Sequence, residues 1–119
     1  MKSLLWLFLA IPVFGQNPHS VDLAWGFTQG SGPAAAGFKV YRSTGPTGPE
    51  TQLIALNGAA VRSYTDLSTS SNVLVEGTQY CYTFTAVDAG GNESLHSTQA
   101  CATIPFRLSA PTSPTATAH

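Results

Sequence analysis

The sequence predicts an all-β fold: two antiparallel sheets packed as a sandwich over a single core. Three observations predict it. Short runs rich in Val, Ile, Thr, Tyr, Phe and Trp recur between turn clusters, at the spacing of about 8–12 residues seen in sandwiches. The longer runs alternate large apolar residues with small or polar ones, which puts one face of a strand on a core and the other on solvent. No stretch carries a helical period. The chain of 119 residues is long enough for one such domain.

The N-terminus reads as a targeting segment. Lys2 is followed by an apolar run from Leu4 to Phe14, well short of the about 20 residues that span a bilayer. Val13 and Gly15 are small enough to flank a cleavage point. Residues 1–15 are therefore expected to be a cleaved secretory signal, followed by a domain over residues 16–105 and a tail over 106–119. This implies a secreted chain, extracellular or periplasmic, with no membrane insertion after cleavage.

The elements follow in order. Ser20 to Phe27 alternates Val21, Leu23, Trp25 and Phe27 with small or polar residues, so the large set shares one face. Gly30 to Gly37, with Pro33, reads as a breaker. Phe38 to Arg42 is the next strand, with Phe38 and Val40 inward and Lys39 and Tyr41 outward. Ser43 to Glu50 is a loop, Gln52 to Leu56 a short edge strand, and Asn57-Gly58 a turn. Ser63 to Leu67 is another short strand. Thr78 to Val87 is the longest, with Tyr80, Tyr82, Phe84 and Ala86 on one face and Gln79, Cys81, Thr83 and Thr85 on the other. Asp88 to Glu93 is a tight connection, and Ser97 to Ile104 returns until Pro105 stops it. The Ser, Thr, Ala and Pro residues after Arg107 have linker composition.

Four segments carry a family likeness. They are Ser20-Val21-Asp22-Leu23-Ala24-Trp25, then Gly37-Phe38-Lys39-Val40-Tyr41-Arg42, then Ser63-Tyr64-Thr65-Asp66. The last runs from Glu76-Gly77-Thr78-Gln79-Tyr80 through Ala86-Val87-Asp88 to Gly91-Asn92-Glu93-Ser94. In this order, from about His19 to Pro105, they resemble a bacterial-type fibronectin type III domain, an immunoglobulin-like β-sandwich. The resemblance implies one sheet of strands A, B and E and another of C, C′, F and G. It implies that Trp25 fills the centre between the sheets and that Tyr80 is a tyrosine corner. The Tyr80 hydroxyl should then meet backbone near Leu74 to Glu76. One departure stands out: little chain remains between residue 15 and Ser20 for strand A. The tail from Ala110 to His119 instead resembles the start of such a domain. It reads as a linker, as the stub of a second domain, or as a strand A supplied in cis or to a neighbour.

Cys81 and Cys101 are the most specific chemical feature. A hairpin pairing them is centred on Gly91, the middle of the expected turn, so they stand opposite each other with Cys81 pointing outward. Opposed residues come within disulfide reach, and export favours the bond.

The remaining composition excludes more than it assigns. Four basic side chains, Lys39, Arg42, Arg62 and Arg107, face six acidic ones after the signal. With no basic patch, nucleic acid is not an expected partner. His19, His96 and His119 share no ligand spacing and read as solvated loop residues, so no metal and no cofactor are expected. No strained turn presents a serine, no loop pairs carboxylates, and no catalytic residue is assigned. Asn92-Glu93-Ser94 fits a glycosylation acceptor, though turn geometry explains it equally well. Lys39, Tyr41, Thr83 and Thr85, with Gln99 and Thr103, form an outward strip. Family members often contact partners through this sheet or its end loops, so the strip is the candidate binding face. The functional expectation is a non-enzymatic module for protein or polysaccharide contact. The alternative is a structural spacer or a remnant of a longer extracellular protein.

Overall fold

The computed structural model describes residues 18–119, so the signal expected over residues 1–15 lies outside the described residues. Six strands follow in order: β1 (Ser20–Ala24), β2 (Ala35–Thr44), β3 (Thr51–Asn57), β4 (Ser63–Leu67), β5 (Gln79–Asp88) and β6 (Ala100–Thr103). β1 and β4 form a two-stranded sheet, and the other four form a sheet in the order β3-β2-β5-β6. All pairings are antiparallel. This is the expected all-β sandwich.

Alternation builds the core. Val21 and Leu23 of β1 meet Val40 of β2 and Tyr80, Tyr82 and Phe84 of β5, with Leu74 and Ile104 closing the base. Val40 and Tyr82 are fully buried. Burying each large apolar side chain stabilises the fold by about 1.5–3 kcal/mol.

Strand limits differ from expectation where a side chain changes what the backbone can do. β2 begins at Ala35, inside the segment read as a breaker. Gly37 sits within it because a Cβ there would overlap the carbonyl of Leu56 on β3. The glycine allows close strand approach and does not end the strand. β6 starts at Ala100 rather than Ser97. Upstream, Ser94 N–H and Ser97 N–H still donate to the carbonyls of Ala86 and Phe84, at 2.8 and 2.9 Å. In return, Ala86 N–H and Phe84 N–H donate to the hydroxyls of Ser94 and Ser97, at 2.9 and 3.0 Å. The serines are spaced one residue wider than their β5 partners, so their hydroxyls take the place of ladder carbonyls. β1 ends at Ala24 rather than Phe27, with one further bond from Trp25 N–H to Arg62 O at 3.0 Å.

A charge is buried between the sheets. Asp66 of β4 stands opposite Val21, faces inward and has no exposed surface. Its Oδ2 accepts from Arg42 Nη1 at 2.8 Å and from the Tyr82 hydroxyl at 2.7 Å. Its Oδ1 accepts from Asn72 Nδ2 at 2.8 Å. Arg42 Nη1 also donates to Asn72 Oδ1 at 2.9 Å. The cluster therefore joins β4 of one sheet to β2 and β5 of the other. Burial, and then the bond to Asp66, push the Tyr82 hydroxyl far above its ordinary pKa, so it remains a donor.

Tyr80 behaves as expected of a corner: its hydroxyl accepts from Val75 N–H at 2.9 Å while the ring is buried. Cys81 and Cys101 are directly opposed and disulfide-bonded, with Cα atoms 4.1 Å apart. Cys81 is fully buried despite pointing outward. Trp25 corrects its expectation more strongly. It is half-buried at one end of the sandwich, not at the centre, and stacks on Phe84 with centroids 4.9 Å apart. Val40 and Tyr82 hold the centre instead. The reason is that β1 ends before Trp25, and no strand covers its free edge among the described residues.

Candidate functional site

The β2–β5 register sets Lys39 opposite Thr85 and Tyr41 opposite Thr83, so the expected outward strip does form. The strip is not open to solvent along its length. Thr83 and Thr85 are only 4% and 2% exposed, because two acidic residues and a histidine from distant loops fold over them. Glu93, in the β5–β6 connection, accepts from Tyr41 Oη at 2.5 Å, Thr85 Oγ1 at 2.8 Å and Lys39 Nζ at 3.2 Å. Glu50, just before β3, accepts from Thr83 Oγ1 at 3.1 Å. His96 Nδ1 lies 2.9 Å from Thr83 Oγ1 and 3.2 Å from Glu50 Oε1. Its ring tilts against Tyr41 with centroids 4.5 Å apart. His96, read from sequence as a solvated loop residue, is thus part of this cluster. Of the two other strip residues, Gln99 donates to Pro46 O at 3.0 Å and Thr103 is exposed.

The sequence did not reveal this cluster, because its members come from residues 39–50, 83–85 and 93–96. The β2–β5 pairing and the fold of the two connections bring them together.

The Glu93 carboxyl is pulled down from 4.5 to about 2, first by the Tyr41 hydroxyl, then by Thr85 and Lys39. A carboxyl with a depressed pKa in the fold stabilises it fully above its unfolded value and loses that contribution as pH falls through the folded one. Stability is therefore expected to decline between pH 4.5 and about 2, and Glu93→Gln should flatten this limb. Denaturant titrations of both proteins from neutral to acid pH check it. Parallel curves would show that Glu93 makes no such contribution.

The adjoining end of the sandwich is open. A groove of about 480 Å³ runs between the β1–β2 connection and the β5–β6 turn, lined among others by Phe27, Gln29, Pro33, Ala86, Asn92 and Ser94. Gln29 shapes one wall. Its Nε2 donates to the carbonyls of Gly30, Gly32 and Pro33, and its Oε1 accepts from Ala35 N–H at 3.1 Å. Asp88 shapes the other, accepting from the N–H groups of Gly90 and Asn92, each at 2.9 Å. The bonds from Asn92 hold the Asp88 carboxyl below its ordinary pKa. Asn92 of the glycosylation pattern also turns its side chain onto Asp88. Both walls read as plain turns in the sequence, and only their position at one end of the sandwich makes them a groove.

Among the described residues no group of three His, Cys, Asp or Glu is placed to hold a metal ion. No helix there is long and apolar enough to cross a membrane.

No family model and no curated protein matches the sequence. Among solved structures, a Fn3-like protein from Clostridium thermocellum is 30% identical. The match has a TM-score of 0.53 and covers 76% of this chain and 81% of that one. The chain belongs to the fibronectin type III family. The twitchin kinase region from C. elegans matches with a TM-score of 0.59 over 75% of this chain, at 18% identity. That likeness shows the fold alone, and the match spans 14% of the twitchin fragment. As a fibronectin type III domain, the chain presents β1 to β6 as strands B, C, C′, E, F and G. The fold is one that usually carries no catalysis.

Proposed function

We propose that this fibronectin type III domain is a non-enzymatic contact module, secreted to an extracellular or periplasmic setting, that holds a protein or polysaccharide at the loop end of its sandwich. The observation that carries this reading is the groove between Gln29 and Asn92. It is concave, and each wall is braced by side-chain hydrogen bonds to backbone. Such sites bind at low ordering cost. The strip of Lys39, Tyr41, Thr83 and Thr85 becomes its flank, because Glu93 and Glu50 already occupy its hydroxyls and ammonium.

Catalysis at the His96–Thr83–Glu50 cluster is disfavoured on geometry. The Thr83 hydroxyl is buried and donates to Glu50, and the Tyr41 ring packs against His96. The Cys81–Cys101 bond supports an oxidising compartment.

Gly30 has open space where a side chain would project, so Gly30→Arg should obstruct the groove without disturbing the fold. In pull-downs against envelope polysaccharides and secreted proteins, the native chain should retain a specific partner and Gly30→Arg should lose it at least tenfold. A chain that retains nothing specific overturns the reading and leaves the spacer.

A further inference from the structure

Among the described residues, no strand pairs with the outer edge of β1. Trp25 N–H donates to Arg62 O and Ser68 N–H to His19 O, which marks the odd-numbered residues of β1 as those bonded to β4. By alternation, the N–H and C=O groups of Ser20, Asp22 and Ala24 point away from β4, where no strand pairs with them among the described residues. The side chains of these three are exposed, while Val21 and Leu23 between them are buried. An unpaired edge of this kind is a template for an added strand.

The tail offers a matching strand. Leu108 to His119 is exposed throughout. Proline has no N–H and cannot face a partner strand within a ladder. With the backbone of Pro114 directed away from the partner, Ser113, Thr115 and Thr117 direct their backbone at it, and Pro111 sets the limit of the strand. This gives three donor-acceptor positions for three bare ones. Directly opposed residues share a face of the sheet. Ser113, Thr115 and Thr117 therefore lie outside with Ser20, Asp22 and Ala24, while Pro114, Ala116 and Ala118 turn inward. Run antiparallel to β1, Ala116 falls beside Val21, Pro114 beside Leu23 and Thr112 beside Trp25. The alternation that proline requires is thus also the one that turns Ala116 and Ala118 inward. Ser113, bent at φ 53° in the free tail, must extend.

The tail cannot do this in cis. It leaves the body at Arg107, whose Nε lies 3.1 Å from His19 Nε2, beside the start of β1. The donor strand must enter at the Trp25 end, about 17 Å away at the rise of a strand. The residues between Arg107 and Thr112 would be fully stretched, with none left for the reversal.

We propose that residues Thr112–Ala118 of one copy add to the β1 edge of a second copy, joining chains head to tail. The contact is heterologous, so it generates linear oligomers unless the copies close into a ring or exchange tails in pairs.

Sedimentation of the full chain across a concentration series tests this. The expected result is a ladder of species growing with concentration. Thr115→Pro/Thr117→Pro removes two N–H groups aimed at β1 and should raise the concentration needed for assembly at least tenfold. Thr112→Pro/Ala116→Pro places proline where the backbone N–H faces away from β1 and should assemble as the native chain does. Both pairs lie in the exposed tail, so the body folds in each. A native chain that stays monomeric overturns the proposal, including the case in which its own residues before Pro18 cover β1. So does assembly that survives Thr115→Pro/Thr117→Pro.

Discussion

Asp66→Ala is expected to lower stability by about 3–5 kcal/mol, the range seen when one partner of a buried ion pair is removed. Asp66 is fully buried and receives three hydrogen bonds, from Arg42, Tyr82 and Asn72. Removing its carboxylate leaves the Tyr82 hydroxyl buried without that acceptor, and a buried unsatisfied group costs about 1–3 kcal/mol. It also leaves Arg42, whose side chain is 21% exposed, without its counter-charge. Arg42→Ala should cost at least as much, because it leaves the Asp66 carboxylate buried without its counter-charge, whereas the Arg42 left by Asp66→Ala reaches water. Urea unfolding checks both, with the midpoint expected to shift and the slope to hold. A loss below about 1 kcal/mol would fit an exposed pair and would mean that Asp66 reaches solvent.

Removing the disulfide should have the next largest effect. The bond closes a loop with a separation of 20 residues, for which the chain-entropy model gives about 3 kcal/mol. It staples β6 to β5, and β6 is only four residues long. The paired variant Cys81→Ala/Cys101→Ala is the suitable comparison, because Cys81 is buried and a serine there would bury a hydroxyl. Unfolding of the variant and the native chain under identical conditions should differ by about 2–5 kcal/mol. Equal stabilities would show that β6 is held by its remaining contacts alone.

Much of the fold was legible from residue order. The alternation of Val21 and Leu23 fixed the inward face of β1. Tyr80 fixed the corner, and the cysteine spacing fixed the hairpin register about Gly91, which indeed adopts a positive φ of 86°. Asp66 was harder. Alternation opposite Val21 places it inward, but a carboxylate is expected outside unless its partners are known, and those lie on other strands. Gly37 misled for a related reason. A glycine that opens a turn and one that lets two strands approach look alike until the neighbouring carbonyl of Leu56 is located. The polar cover over Thr83 and Thr85 was least legible. Glu50, Glu93 and His96 belong to connections, and only the packed sheet decides where those fall.

Residue-resolved amide hydrogen exchange in dilute solution tests the two-sheet arrangement most directly. Tyr82 and Val40, at the centre of the packed sheets, should exchange slowest. Along β1, Val21 and Leu23 should be protected while Ser20, Asp22 and Ala24 exchange fast, because only the former pair bonds to β4. Uniform protection along β1, or fast exchange at Val40 and Tyr82, would contradict the arrangement of sheets and edges described above.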